Sequence, residues 1–371
     1  MSSPQQITEK LLEKTGIVIN GDHPWDPQVH HPGFYDRIFS KGSLGLGEAY
    51  MDGWWDCNVL DEFFTRILYH QLDKHVPFNW SAFWYALKAK FINRQTRTRS
   101  KEVALKHYDI GNDLYRKMLD KRMVYSCGYW KNAQTLDEAQ EAKLDLICRK
   151  LKLEPGMRLL DIGCGWGGLV NFAVTHYGVS AVGITLSEQQ AIIARQVNSS
   201  LPVDIRIQDY RDLHEKFDRI VSVGMFEHVG YKNYRTLMKT VSENLSDDGI
   251  FLLHSIGGNE SVNATDPWIN KYIFPNGMLP SIAQVSGAIE GLFIMEDWHN
   301  FGTYYDRTCM AWLKNFEQHW PELSSHYGDT FYRMWKYYLY VSASAFRSRR
   351  NNLWQIVLTK PVRKEGYDSV R

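Results

Sequence analysis

The sequence predicts an α/β protein built on a doubly wound, mainly parallel sheet, with a small helical N-terminal domain ahead of it. Three observations lead there. From Met157 onward, apolar runs alternate with amphipathic stretches in a βαβ rhythm, which calls for helices on both faces of a sheet. A glycine-rich turn joins the first apolar run to the first amphipathic stretch. The opening ~100 residues keep helical spacing and contain no βαβ unit.

In chain order, helices are expected over 8–14 and 60–72, then a strand over 158–164, a helix over 168–177 and a strand over 179–186. Ser187 is placed to cap a helix over 187–199, because its hydroxyl can accept a hydrogen bond from an early backbone N–H. Strands over 203–208 and 217–224, a helix over 231–245 and a strand over 250–256 complete the regular part. Two later strands, 293–297 and 353–359, are separated by an aromatic-rich helix over 329–346. The expected division is a helical domain at 1–90, a basic linker at 91–103 and a catalytic domain at 104–371. No internal repeat is present.

At 371 residues, 44% hydrophobic and 23% charged, the chain has the composition of a globular protein with room for two domains. Lys plus Arg (43) nearly equals Asp plus Glu (42), so the net charge of +1 gives no overall attraction to nucleic acid, and none is expected as a partner. No run of about 18 apolar residues is available to span a bilayer. The opening Met1-Ser-Ser-Pro-Gln-Gln lacks the charged-then-apolar pattern of a signal peptide, and a cytoplasmic location is expected. Cys57, Cys127, Cys148, Cys164 and Cys309 form no CxxC pair, so neither a metal site nor a disulfide framework is expected. The 13 Trp, 21 Tyr and 17 Phe serve packing first, but are numerous enough to line a large apolar pocket as well.

From Lys74 to Lys101 there are seven Lys or Arg and no acid, and Phe83, Trp84, Tyr85, Leu87 and Phe91 interleave with Lys88, Lys90 and Arg94. An apolar face with a basic rim suits adsorption to an anionic lipid surface. A linker helix with its charges in water fits the same composition equally well.

Leu159-Leu160-Asp161-Ile162-Gly163-Cys164-Gly165-Trp166-Gly167-Gly168 closes a strand and opens a helix, where glycine lets backbone amides approach a ligand. Gly163, Gly165 and Gly168 satisfy a dinucleotide pattern, whereas Asp161 with Gly163, Gly165 and Gly167 satisfies a looser methyltransferase pattern. A dinucleotide site wants an acid about 20 residues further on for the ribose. Here Val182-Gly183-Ile184-Thr185-Leu186-Ser187 supplies none. Asp161 would repel a pyrophosphate but suits a ligand carrying an ammonium and a sulfonium, such as S-adenosylmethionine (AdoMet).

Tyr125-Ser126-Cys127-Gly128-Tyr129-Trp130, the glycine-rich turn, Gly183-Ile184-Thr185-Leu186-Ser187, Phe226-Glu227-His228-Val229-Gly230 and Leu252-Leu253-His254-Ser255-Ile256-Gly257 stand in this order. Together they resemble the cyclopropane-fatty-acyl-phospholipid synthases, relatives of the mycolic acid cyclopropane synthases. Gly42-Ser43-Leu44-Gly45-Leu46-Gly47-Glu48 and Tyr50-Met51-Asp52-Gly53-Trp54-Trp55 carry the likeness into the helical region, so it covers nearly the whole chain. The resemblance implies a Rossmann-like, class I AdoMet methyltransferase fold. It implies an enzyme that turns a cis double bond of a phospholipid acyl chain into a cyclopropane with a methylene from AdoMet.

By position, the resemblance puts AdoMet across Tyr125, Ser126, Asp161, Gly163, Gly165 and Gly167, with Thr185 and Gln190 near the ribose and Gln208 and Asp209 near the adenine. It puts a bicarbonate ion on the backbone at Cys127 and Ile256 and on the side chains of Glu227, His254 and Tyr305. It also implies a homodimer bound peripherally to the inner face of a membrane that holds the unsaturated phospholipid. One departure stands out. Relatives often carry a cysteine in the late aromatic helix, where this chain has Ser342, so a mechanism needing a thiol there is disfavoured.

An isolated alkene is a weak nucleophile, so the reaction leans on positioning in a dry pocket. Methyl addition leaves a carbocation, which aromatic faces such as Phe301, Tyr304 and Tyr305 would stabilise, and ring closure requires loss of a proton from the new methyl. Two bases stay open at this level: Glu227 itself, or bicarbonate oriented by Glu227, His254 and Tyr305, which the resemblance favours. Plainer uses exist for each residue. Glu227-His228 suits capping of the helix near Tyr231, His254 suits a core position, and Tyr305 suits packing.

Overall fold

The structure, a computed structural model, describes residues 3–72 and 111–371. The basic aromatic segment at 74–101 and the expected linker at 91–103 lie outside the described residues. Two compact units divide the chain, and they do not follow chain order. One takes Met1–Ile92, Asn263–Pro275 and Tyr305–Asn351; the other takes Asn93–Val262, Asn276–Tyr304 and Asn352–Arg371. The helical first unit thus includes two later segments that chain order alone assigned to 104–371.

The second unit carries a seven-stranded sheet of β1 (Arg158–Ile162), β2 (Ser180–Thr185), β3 (Val203–Ile207), β4 (Phe217–Val223), β5 (Leu245–Gly258), β6 (Ile294–Asn300) and β7 (Asn351–Thr359). Their spatial order is β3-β2-β1-β4-β5-β7-β6. The β1–β2, β2–β3, β1–β4 and β4–β5 ladders are parallel, and β6 pairs antiparallel with β7. Its helices include α1 (Asn112–Met118), α2 (Leu136–Lys150), α3 (Gly168–Tyr177), α4 (Glu188–Val197), α5 (Tyr234–Asn244) and α6 (Ile282–Ile289).

Strand alternation sorts the core into two layers. Leu159, Ala181, Ile205, Val221, Leu252 and Val357 face one way and are covered by Leu144 and Ile147 of α2 and by residues of α3 and α4. Leu160, Ile162, Val182, Ile184, Ile220 and Leu253 face the other way, onto Leu237 and Val241 of α5 and Val285 and Ile289 of α6. The doubly wound expectation holds for this reason. Ser187 caps α4 by accepting from the Gln190 N–H at 3.3 Å. The helix expected over 231–245 begins as a 3-10 turn, Tyr231–Asn233, before α5, and Leu245 already belongs to β5. A register shift between Phe217 and Arg219 lets β5 start that early.

In the first unit, helices Pro4–Leu12, Phe34–Lys41, Ser43–Met51, Leu60–Tyr69 and Pro267–Tyr272 accompany a small antiparallel ladder of Gln28–Val29 with Trp55–Asp56. The helix expected over 329–346 is the second half of a longer helical stretch, Thr303–Arg347, kinked at Gly328 (φ 71°). Aromatic residues pack on one another here: Tyr50 on Trp55 at 5.2 Å and Trp268 on Tyr337 at 4.4 Å between ring centres. The Gly42 to Glu48 motif proves to be a packing device in helix Ser43–Met51. A Cβ on Gly47 would stand 2.4 Å from the Trp268 indole, and one on Gly45 would stand 2.3 Å from the Arg37 carbonyl oxygen. Glu48, buried beside them, accepts from Lys271 at 2.7 Å, Tyr272 at 3.1 Å, Lys41 at 3.2 Å and Arg37 at 3.3 Å. Burial works against its charge, but these donors win and hold the carboxyl down at about 2.

Gly47→Ala is therefore expected to destabilise the protein by about 1–3 kcal/mol through overpacking against Trp268. Denaturant unfolding followed by tryptophan fluorescence measures it, and a midpoint equal to that of the parent protein would contradict the packing role.

Candidate active site

Ligands of open parallel sheets bind outside the carboxyl ends of the strands, where the strand order reverses. In this sheet the reversal falls between β1 and β4. The glycine-rich turn follows β1 there, and Gly163, Gly165 and Gly167 all adopt positive φ (89°, 54° and 83°), a conformation that side chains with a Cβ rarely take. Gly163 also abuts Met225 and Gly167 abuts Asn198, whereas a Cβ on Gly165 would meet open space. Backbone at Gly165 is thus approachable by a ligand.

Asp161 ends β1 fully buried, with Oδ1 lacking any hydrogen-bond partner. Burial, opposed by the charge of Lys143, pushes its carboxyl up to about 7. Such an atom fits the ammonium of AdoMet, a donor that would relieve the burial. Thr185 ends β2 and donates from its hydroxyl to the Gln190 side chain at 3.0 Å, so the two residues form one polar unit. Gln208 follows β3 and donates to the Asp212 carbonyl at 2.8 Å. Asp209 is clamped by Arg211, whose Nε and Nη2 lie at 2.8 and 2.6 Å from its two oxygens. Tyr125 packs its ring against Tyr115 at 5.3 Å. Every AdoMet candidate belongs to the second unit, at or just beyond a strand end, in the segment before α2, or, for Gln190, in the first turn of α4.

Glu227 occupies a 3-10 turn, Phe226–His228, directly after β4. The Met278 N–H donates to its backbone carbonyl at 2.8 Å and fixes the turn. Its Oε1 accepts from the Ile256 N–H at 2.7 Å, while the buried Oε2 has no partner. Burial raises its carboxyl to about 7 against the lowering effect of the Ile256 N–H and the Ser255 hydroxyl. The helix-capping use of Glu227-His228 does not materialise: α5 follows Asn233 and has no side-chain cap. His254 lies opposite Val223 in the β4–β5 register, is 1% exposed, and has Nδ1 at 3.3 Å from the Gln355 amide nitrogen of β7. That contact anchors Nδ1 and leaves Nε2 buried and without a partner. Burial, reinforced by the charges of Lys143 and Lys150, depresses the imidazole well below its usual range and keeps it neutral.

Cys127 is completely buried next to Ser126. The Ile256 N–H is committed to Glu227, so the peptide at this position is already oriented by the carboxylate. Phe301 lies 6.0 Å from the His254 ring and 5.3 Å from Tyr129, and Tyr304 is 5.6 Å from Tyr129. These rings form an aromatic wall of the second unit. Tyr305 belongs to the first unit, where it stacks on Phe346 at 4.4 Å and meets Trp312 edge-on at 5.8 Å.

Three residues that sequence reasoning passed over stand among these groups. Gln140 and Lys143 of α2 hold Ser126, Gln140 through its backbone carbonyl at 2.7 Å and Lys143 through its hydroxyl at 2.8 Å. Gln355 holds His254. The signal was present in α2, where Gln140 and Lys143 fall at the i, i+3 spacing of the apolar stripe that includes Leu144 and Ile147.

Against known proteins, residues 95–356 match the model of the mycolic acid cyclopropane synthetase family. The chain belongs to that family. It is 51% identical over 357 residues to the cyclopropane-fatty-acyl-phospholipid synthase of Escherichia coli (strain K12), covering 96% of this chain and 94% of that protein. Among solved structures it is similar to the cyclopropane synthase MmaA2 of Mycobacterium tuberculosis, with TM-score 0.66, 32% identity, and 70% of this chain and 98% of that chain covered. It is likewise similar to the mycolic acid cyclopropane synthase CmaA1 solved with SAH and CTAB, with TM-score 0.65, 32% identity and coverage of 70% and 98%. The protein is thus an enzyme, a methylene-transferring methyltransferase of the cyclopropane synthase type, and its sheet is that of the class I AdoMet methyltransferases. Among the described residues no helix is long and apolar enough to cross a membrane.

The raised carboxyl of Glu227 has a stability consequence with a definite sign. Between its unfolded value of 4.5 and its folded value of about 7 the native state binds the extra proton, so stability falls as pH rises through that window. Glu227→Gln removes this contribution while keeping an acceptor for Ile256. The ligand-free variant is expected to lose less Tm than the parent between pH 5 and pH 7.5 (roughly, each kcal/mol relieved is worth about 2–4 °C). Parallel slopes in a thermal melt series across that range would contradict a buried, protonated Glu227.

Proposed function

We propose that the protein cyclopropanates cis-unsaturated acyl chains of bilayer phospholipids with AdoMet, with bicarbonate as the base. The supporting observation is that two buried groups on the adjacent strands β4 and β5, Glu227 just after β4 and His254 within β5, are each anchored on one atom and leave the other, Oε2 and Nε2, without a partner. Two open polar atoms of groups that can each change their proton suit a hydrogen carbonate ion, which itself both donates and accepts. AdoMet, held by Tyr125, Ser126, Asp161, the glycine turn, Thr185, Gln190, Gln208 and Asp209, supplies the methyl group as a sulfonium electrophile. The family likeness assigns the anion to the backbone at Cys127 and Ile256 and to Tyr305; at Ile256 the N–H is held by Glu227, so that position acts through the carboxylate it orients.

In this reading the residues of the chain do three things. The apolar floor beneath Asp161 and His254 keeps water from the reacting alkene. Tyr129, Phe301 and Tyr304 present ring faces to the carbocation without offering it a nucleophile. Glu227 and neutral His254 orient the base toward the methyl proton. The alternative base, Glu227 itself, draws support from its carboxyl near 7, a value suited to proton transfer at neutral pH.

Region 104–371 is proposed as the catalytic part, and the enzyme as a cytoplasmic homodimer that visits the inner membrane face through the basic aromatic segment. That last role predicts vesicle binding that weakens with salt, because exposed charges are screened within about 8–10 Å at physiological ionic strength. Sedimentation with anionic vesicles that is insensitive both to salt and to Lys88→Glu with Lys90→Glu would remove it.

The reaction itself is tested with labelled AdoMet and vesicles of cis-unsaturated phospholipid, followed by mass analysis of the released fatty acids. A gain of one CH2 with loss of the double bond is expected; a methylated product that keeps the double bond contradicts the reading. Glu227→Gln separates the two bases. With bicarbonate as base, the variant keeps activity that rises with added bicarbonate; with Glu227 as base, it is inactive by about 100-fold or more at every bicarbonate concentration.

A further inference from the structure

Lys143 is completely buried in the middle of α2, on the helix face that covers Leu159, Leu252 and Val357. By strand alternation Asp161, His254 and Gln355 extend those same three rows, so Lys143 overlies the polar end of this sheet face. Its ammonium donates to the Ser126 hydroxyl at 2.8 Å. Among the described residues no carboxylate forms an ion pair with it, in contrast to Lys150, whose ammonium lies 3.5 Å from Asp297. An ammonium out of water with one hydrogen bond, and with Asp120 and Asp161 acting on it only through space, is costly, and the cost is relieved further when an anion enters its field. Its charge acts through space on Asp120, on Asp161 of the AdoMet site, and on Cys127 and His254 around the proposed base.

The other members of the proposed cradle cannot provide a countercharge. Glu227 is acidic and His254 is held neutral, so the anion meets hydrogen-bond partners but no cation among them. We propose that Lys143 is a positioning residue that supplies the fixed positive charge for the bicarbonate bound between Cys127 and His254. It acts through Ser126 and through space, without touching the reacting carbon. This inference rests on the bicarbonate reading above and adds to it the group that makes anion capture favourable in a water-free site.

The test uses the full-length enzyme, phospholipid vesicles and buffer freed of carbon dioxide, with initial rates measured against added bicarbonate. For Lys143→Met the bicarbonate concentration giving half-maximal rate is expected to rise tenfold or more. The AdoMet dissociation constant from calorimetry is expected to rise by a smaller factor than the half-saturating bicarbonate, because Lys143 also holds Ser126. Lys143→Gln carries the same measurement if the Met variant does not fold, and Lys143→Arg is expected to restore the bicarbonate requirement toward that of the parent. An unchanged half-saturating bicarbonate with a lowered maximal rate would overturn the inference. So would equal losses of AdoMet and bicarbonate affinity, which mark a packing role. A parent enzyme indifferent to bicarbonate would instead overturn the reading on which the inference rests.

Discussion

Everything at the head of the sheet follows from the free-energy cost of leaving a polar atom buried without a partner. Asp161 Oδ1, Glu227 Oε2 and His254 Nε2 all bear that cost. Each belongs to a group whose position is fixed by the fold: Asp161 by the β1 ladders, Glu227 by the Ile256 and Met278 N–H groups, His254 by Gln355. The same dryness moves the titrations in opposite directions, carboxyls up and imidazole down, each toward its neutral form. A fold held together only for its own stability would pair these atoms with each other or replace them by apolar groups. Their one-sided anchoring is what a site for polar ligands requires.

Much of this was legible in the sequence because it depends on local rules. The apolar runs at β1 to β5 announce parallel strands, Ser187 announces the start of α4, and the glycines after Asp161 announce a turn whose φ values demand them. Asp161, Glu227 and His254 were each visible as polar residues at the end of, or within, such runs. Boundaries moved where tertiary pairing overrode local pattern: β5 starts at Leu245 because Phe217 is there to pair with it.

What stayed hidden depends on contacts distant in sequence. The glycines of the Gly42 to Glu48 motif were assigned no element from sequence, and they serve a helix packed against Trp268, more than 200 residues away. Gln355 and His254 are 101 residues apart, and no spacing rule links them. The two-unit division is hidden for the same reason, since Asn263–Pro275 and Tyr305–Asn351 join the helical unit through packing and not through chain order. Tyr305, read from sequence with Phe301 and Tyr304 as aromatic lining, falls in the other unit. Lys143 was overlooked because a lysine in an amphipathic helix is ordinarily at the surface, and only the burial of the i+1 and i+4 neighbours Leu144 and Ile147 places it inside.

Placing positive charge in such a site is a problem for the proposed reaction, because its intermediate is itself a cation. A protonated His254 beside the aromatic wall would raise the energy of a carbocation nearby, by an amount that grows as water is excluded. Burial and the fields of Lys143 and Lys150 prevent that protonation. Lys150 does so with its own charge balanced by Asp297, and Lys143 does so from behind Ser126, on the side of the anion. Tyr129, Phe301 and Tyr304 face the region with polarizable rings and no formal charge. In the proposed reaction, a fixed cation on the side of the base and neutral rings on the side of the carbocation would meet two opposite electrostatic demands at one buried site. Helix α2 is the element that makes this separation possible, because its buried face alternates apolar packing at Leu144 and Ile147 with lysines at 143 and 150.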